Sequence, residues 1–357
     1  MQQGYPDLYG HVDEVGVAAS IWNFFRSGTL RPTEFTYPDL YSYLVAVRVW
    51  LSALFGAGEL DDTGDALILL SFADPGWVVL LGRLLSAMAS TLSAVVIYRL
   101  GSEIFGRRCG MVAAAFFAVS WTAAQQAHRG LPDSVMALFA TLCIYYSWKL
   151  YCSGAWRHYA LAGICAGLMV STKYNGAFVS FGLVAAHLLR NAGTARIHLV
   201  AGALLDSKLW VATMLAVLAL IAGTPYLILS SSQYLSLVSY QTSSLTFSMS
   251  QTDSWFWIPH AYVAEEHVLG VLMLGGLVLA AVRRQPIDWI VLVGWLPSFL
   301  YMGTWTRESL HYLLQFHPVL ALMASRVVLE AGGIGHAGGS PTGRRERWVR
   351  QRRSLSW

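Results

Sequence analysis

The side chains that could do chemistry in this 357-residue chain are a handful of carboxylates, cations and imidazoles. Asp13 and Glu14 are adjacent and open a stretch whose apolar positions, Val15, Ala18, Ile21, Trp22 and Phe25, recur three and four apart. A carboxylate can accept a proton in catalysis. Acids are also favoured at a helix start by the dipole alone, so the pair has a structural reading as well. Further along stand Tyr37 and Tyr41 in an aromatic-rich run, then Arg129 and Asp133 in a short turn, Lys173 in a polar turn, and Arg307 with His311 before the last apolar stretch. Cations at such depths need an anion or must reach back to the interface as anchors. His260, Glu265, Glu266 and His267 could contribute ligands to a divalent ion, with Glu266 and His267 the nearest to a pair, but their spacing fits no tight motif and capping and interface roles explain them better. Cys109, Cys143, Cys152 and Cys165 have no CxxC spacing and read as small core residues.

What must position these groups is a set of membrane helices. The chain is 55% hydrophobic and 12% charged, with mean hydropathy +0.49. That balance excludes disorder, fibres and a small disulfide-stapled domain. The formal net charge of +4 is too small to argue for a nucleic-acid partner. Apolar windows fall near 77–99, 109–126, 134–151, 209–230, 262–282, 289–304 and 310–330. The longer run 159–189 is interrupted by Ser171-Thr172-Lys173-Tyr174-Asn175-Gly176 and reads as two short helices meeting at a polar turn. The expected fold is all-α, a polytopic helical bundle of about nine spans.

Charge sorts the connections. With 37–56 taken as a helix lying in the interface, 17 of the 24 basic residues and five of the 20 acids fall on one side of the membrane. The positive-inside rule makes that side cytoplasmic. The opposite side carries seven cations, Arg26, Arg31, Arg48, Arg83, Arg129, Lys173 and Arg307, and most of the acids. The resulting division is 1–76 as an outer-face loop with juxtamembrane helices, 77–331 as the helical bundle, and 332–357 as a basic cytoplasmic tail.

The order of motifs resembles the integral-membrane, lipid-carrier-dependent glycosyltransferases of the GT-C fold, which include protein O-mannosyltransferases and lipid A aminoarabinose transferases. The series runs from Val12-Asp13-Glu14 and Tyr37-Pro38-Asp39-Leu40-Tyr41 through Gly82-Arg83-Leu84-Leu85-Ser86 and Leu131-Pro132-Asp133. It continues with Ser171–Gly176 and Gly223-Thr224-Pro225-Tyr226, and ends at His311-Tyr312-Leu313-Leu314. The family carries a transmembrane helix ahead of its first outer loop, and this chain begins inside that loop, so it reads as lacking that helix. Where relatives carry Arg-Tyr near the last span, this chain has His311-Tyr312, with Arg307 a turn earlier.

The resemblance implies transfer of a mannose- or pentose-like sugar from a polyprenyl-phosphate donor to an acceptor hydroxyl, with inversion, at the outer face of a bacterial inner membrane. It implies Asp13 as general base, Glu14 orienting acceptor or metal, and Asp133 in support. Arg129, Lys173, Arg307, His311, Tyr37 and Tyr41 would bind the donor or its phosphate. A divalent metal ion is a possible cofactor, and the acceptor is a protein, lipid or polysaccharide. The alternative is a transporter or flippase, which would bury charges mid-span and break helices at the midplane.

Overall fold

The computed structural model describes residues 12–56, 75–191, 202–246, 255–305 and 308–333. Arg196, Arg307 and the Arg-rich tail beyond 333 lie outside the described residues. Within them the chain is helical. The helices, in order, are α1 (Val12–Ser27), α2 (Leu40–Gly56), α3 (Pro75–Phe105), α4 (Arg107–Val119), α5 (Trp121–Ala127), α6 (Asp133–Ser153) and α7 (Trp156–Val170). They continue with α8 (Ser180–Asn191), α9 (Ser207–Gly223), α10 (Tyr226–Leu229), α11 (Ser231–Thr246), α12 (Trp257–Arg283), α13 (Pro286–Met302) and α14 (His317–Ala331). Two 3₁₀ segments, Tyr174–Val179 and Leu310–Phe316, precede α8 and α14.

Among the described residues, four helical stretches are long and apolar enough to cross a membrane: Gly76–Phe105, Asp133–Ser153, Trp257–Arg283 and Leu310–Ala331. Leu40–Ser52, Ser207–Gly223 and Pro286–Met302 are apolar but shorter. Each expected apolar window falls on helix, though the window 109–126 is two helices rather than one. Ser120 leaves helical dihedrals and its hydroxyl accepts the Ala123 N–H, starting α5 afresh. The window 159–189 divides as expected: α7 ends at Val170, Lys173 is extended, and a 3₁₀ turn leads into α8. Within the window 209–230, α9 ends at Gly223, where Thr224 leaves helical dihedrals and Pro225 cannot continue it, and the short α10 follows.

The core runs through α3, α4, α6, α7, α12 and α14, and α14 is its most enclosed element, with Val319 to Ala324 all buried. Close approach is bought with small residues. A Cβ at Gly163 or Gly167 of α7 would lie 2.1 Å from the carbonyl oxygen of Ala212 or Ala216 of α9, so the two backbones touch through a small-xxx-small seam. A second, smaller cluster joins α1 (Ala18, Ile21, Phe24), α2 (Tyr41, Val45, Val49) and the start of α3 (Val78, Leu81). The opposite side of α2 exposes Val47 and Trp50. This second cluster hangs the α1–α2 hairpin on the bundle at the end where α3 and α6 begin.

Candidate functional site

At that end, residues from five separate segments converge. Asp13 sits in the first turn of α1, half-buried, and accepts a hydrogen bond from the Tyr37 phenol at 2.7 Å. The Tyr37 ring in turn lies over the Lys173 ammonium, 5.2 Å from the ring centroid, and the Tyr312 ring lies at 5.2 Å from the same nitrogen. Lys173 donates to Asp133 Oδ1 at 2.7 Å, and both side chains are buried. The result is a linked set, Asp13–Tyr37–Lys173–Asp133, closed by Tyr312.

Local structure explains each placement. Asp133 opens α6, where a carboxylate meets the positive end of the helix. Lys173 is held by the tight exit from α7, its N–H bonded to the Met169 carbonyl. The Asn175 amide donates to the Tyr312 carbonyl at 2.6 Å and so ties the two 3₁₀ segments together. Buried ammonium and carboxylate groups are costly to desolvate, and here the cation is matched by one carboxylate and two aromatic faces. The Asp133 Oδ2 atom is buried with no hydrogen-bond partner among the described residues, so the carboxylate retains accepting capacity. Burial, followed by the charges of Asp133 and Asp13, pushes the Tyr37 phenol well above its usual range, so it stays protonated and donating.

Glu14, next to Asp13, has a different fate. Its carboxylate is clamped by Arg83 of α3, Nε to Oε1 at 3.0 Å and a terminal nitrogen to Oε2 at 2.8 Å. It also accepts the Gly130 N–H at 2.7 Å. This buried, bidentate group fixes the 128–132 turn against α1 and α3, and thereby sets Asp133 and Arg129 relative to Asp13. The geometry therefore makes Glu14 a tether rather than a group facing an acceptor or metal. Arg129 is half-buried, and no hydrogen bond or ion pair to its guanidinium is made by the described residues.

The remaining expected site residues are distributed as follows. Tyr41 is 1% exposed and donates to the Gly82 carbonyl at 2.9 Å, so it packs α2 onto α3. His311 is half-buried, with its ring beside Tyr312 and Nδ1 2.6 Å from the Ser309 hydroxyl. Arg307 lies outside the described residues. Glu266 is buried and caps α5, accepting from the Ser120 hydroxyl and the N–H groups of Trp121 and Thr122 at 2.8 to 3.0 Å. His267 is exposed, at a kink with φ 52°. The two thus point to different surroundings, and no group of three or more His, Cys, Asp or Glu able to hold a metal occurs among the described residues.

Two contributors escaped the sequence reading. Tyr312 was visible only as part of the His311–Leu314 motif, and Arg83 only as an outer cation in the Gly82–Ser86 motif. Nothing in the local pattern tied either to an acid far away in the chain. Asp39 is a third. It is 2% exposed and receives the Tyr234 hydroxyl of α11 at 2.5 Å and the Tyr43 hydroxyl at 3.3 Å. Desolvation raises its pKa to about 6 in spite of those two donors.

Residues 66–228 match the family model for dolichyl-phosphate-mannose-protein mannosyltransferases, a segment that includes Arg83, Arg129, Asp133 and Lys173 but not Asp13, Tyr37 or Tyr312. No curated protein matches the chain. Among solved structures, ArnT from Cupriavidus metallidurans bound to undecaprenyl phosphate is similar over 90% of this chain and 56% of its own, with TM-score 0.65 and 16% identity. The archaeal oligosaccharyltransferase AglB from Archaeoglobus fulgidus, in complex with an inhibitory peptide and a dolichol-phosphate, is similar over 93% of this chain and 49% of its own, with TM-score 0.53 and 13% identity. The chain thus spans about half the length of the structures it resembles. Helices, membrane character and these likenesses converge on one architecture: the chain has the GT-C fold of the lipid-carrier-dependent glycosyltransferases.

Proposed function

We propose that the chain is a membrane glycosyltransferase that moves a mannose- or pentose-like sugar from a polyprenyl-phosphate donor to an acceptor hydroxyl at the outer membrane face. The observation that carries this reading is the convergence of Asp13, Tyr37, Lys173, Asp133 and Tyr312 from distant segments at one end of a GT-C bundle. In the reaction the acceptor oxygen attacks the anomeric carbon from the face opposite the phosphate. The new C–O bond forms as the bond to the phosphate oxygen breaks, and Asp13 takes the hydroxyl proton. The lipid phosphate departs with an added negative charge. Lys173 and Arg129 are the cations placed to meet it, Lys173 exchanging part of its bond to Asp133 for the phosphate. Residues 1–76 form the catalytic loop in this reading, 77–331 the bundle and 332–357 a cytoplasmic tail.

A transporter would draw on Glu266, His317 and the broken helix at His267. The Glu266 carboxylate is already occupied in capping α5, which leaves the site at Asp13 as the better supported centre. The test is transfer of radiolabelled sugar from polyprenyl-phosphate donors in membranes holding wild type or Asp13→Asn. The variant keeps an acceptor for the Tyr37 hydroxyl but cannot take a proton. A rate lower by about 10² to 10⁴ is expected; undiminished transfer would remove Asp13 from the chemistry.

A further inference from the structure

Helix α12 is interrupted at His267, which has φ 52° and ψ −125° while the helix runs on at either side of it. The interruption is tight. A Cβ at Gly270 would lie 1.8 Å from the Tyr262 carbonyl oxygen, so the turn after the break closes onto backbone where only a glycine fits. A non-glycine residue in such a conformation is strained and persists only where its surroundings hold it. His267 itself is exposed, so the hold comes from its neighbours.

The two residues before it are acids, and each grips a different backbone. Glu265 accepts the N–H of Leu310, at the start of the 3₁₀ segment Leu310–Phe316. Glu266 accepts the N–H groups of Trp121 and Thr122, at the start of α5. Its Oε1 also lies 3.7 Å from His317 Nε2, and the His317 ring stacks on Tyr262, one turn earlier in α12. Hydrogen bonds from N–H groups to an ionised carboxylate are shorter and stronger than neutral ones. α5 packs directly against the 3₁₀ segment, and α12 packs against both. Those two elements also lead to the site. α5 runs into the 128–132 turn with Arg129, which ends where Asp133 opens α6, and the 3₁₀ segment carries Tyr312. Asp133 and Tyr312 both reach Lys173.

We propose that Glu265 and Glu266 are positioning residues for the transfer: the break in α12 lets adjacent acids hold two backbone starts, and so fixes the arm that carries Asp133 relative to the arm that carries Tyr312. The inference rests on the transferase reading. Neither acid lines the cavity of ≈ 250 Å³ that opens beside Asp13 on the α1–α2 hairpin. They act through Asp133 and Tyr312, so loosening them should weaken the hold on the lipid phosphate at Lys173 more than proton transfer to Asp13.

The experiment uses the full chain in lipid nanodiscs, with spin labels on His128→Cys and Glu308→Cys, both exposed positions, and with Cys152→Ser. The distance between the labels is measured by double electron–electron resonance, alongside transfer kinetics from a polyprenyl-phosphate sugar. Glu265→Ala, at a half-buried position, should broaden the distance distribution and raise the donor KM by about tenfold or more, with a smaller fall in kcat and an unchanged pH profile. Glu265→Gln, which still offers an oxygen to the Leu310 N–H, should restore a narrow distance and most of the KM. Glu266→Gln, which keeps one accepting oxygen of two, should act in the same direction as Glu265→Ala. An unaltered distance and KM in Glu265→Ala and Glu266→Gln would overturn the proposal. So would a loss confined to kcat, or a glutamine at 265 no better than an alanine. Absence of transfer by the unlabelled wild type would refute the transferase reading, and the label distances would then decide the coupling by themselves: broadening in Glu265→Ala upholds it, and an unchanged distance overturns it.

Discussion

Two buried ion pairs in this bundle are chemically alike and differ in their surroundings. Arg326 of α14 pairs with Asp288 at the start of α13, both almost fully enclosed. The guanidinium lies over the Phe105 ring at 4.4 Å and touches the Met323 sulfur, while the second Asp288 oxygen accepts the Gln285 N–H. Both Asp288 oxygens are taken, but Nε and one terminal nitrogen of Arg326 are buried without a hydrogen-bond partner among the described residues, and the pair joins α13 and α14 beside the end of α3. Lys173 and Asp133 are as buried, yet Asp133 keeps an oxygen without a partner and Lys173 is covered by tyrosines, one of them reaching the half-exposed Asp13 beside a cavity. A buried charge is therefore weak evidence of function by itself. Both pairs leave a buried polar atom without a partner, so the informative feature of Lys173 and Asp133 is the half-exposed Asp13 and the cavity beside it.

That contrast can be broken experimentally. The largest effect expected is on Asp13→Asn, given above, because it removes a proton acceptor and leaves the ion pairs intact. Next, Lys173→Met should leave Asp133 buried and unpaired, lowering stability by about 3 to 5 kcal/mol, and should slow transfer, though less than Asp13→Asn does. Adding Asp133→Leu should return most of the thermal midpoint without returning transfer. At the other pair, Arg326→Met should destabilise by a similar ~3 to 5 kcal/mol, and the double variant with Asp288→Leu should recover both stability and transfer per folded molecule. If the second double variant loses transfer while folded, the distinction between the two pairs fails.

Glu14→Gln should cost about 1.5 to 3 kcal/mol by weakening a charged clamp. Through the shift of the 128–133 turn it should raise the KM for the lipid donor more than it lowers kcat. An unchanged KM would argue that Arg83 and Gly130 hold the turn without it.

The smallest effect is pH-dependent. Asp39 has its pKa raised to about 6 from an ordinary 3.8, so the folded state holds a proton that the unfolded chain releases between those values. Its contribution to stability is complete below about pH 4 and is lost as pH rises through 6. Asp39→Asn should accordingly raise stability at pH 8 by at most about 3 kcal/mol, read as a higher thermal midpoint, and change little at pH 4. A shift at pH 4 equal to that at pH 8 would show that ionisation is not its cause.

Much of the architecture was legible because hydropathy and helix breakers act locally. The polar interruption at 171–176 announced both the end of α7 and the turn at Lys173, and Pro225 marked the end of α9. The break at Ser120 was not legible, since the residues either side are apolar and only the Glu266 carboxylate, from a helix more than a hundred residues later, settles a new helix start there. Tyr41 was read as a ligand-facing aromatic for the same reason: whether it faces a cleft or Gly82 depends on how α2 rolls against α3.

The opening acids show the division most clearly. Sequence alone determined that Asp13 and Glu14 start a helix near a membrane surface, because charge, capping preference and apolar spacing are properties of neighbouring residues. Which of the two is available for chemistry was decided by tertiary structure. Adjacent residues on a helix point about 100° apart, so α1 turns Glu14 inward to Arg83 and Gly130 and leaves Asp13 at Tyr37 and the cavity. Those partners lie 24 to 116 positions away along the chain, and only the folded bundle brings them there.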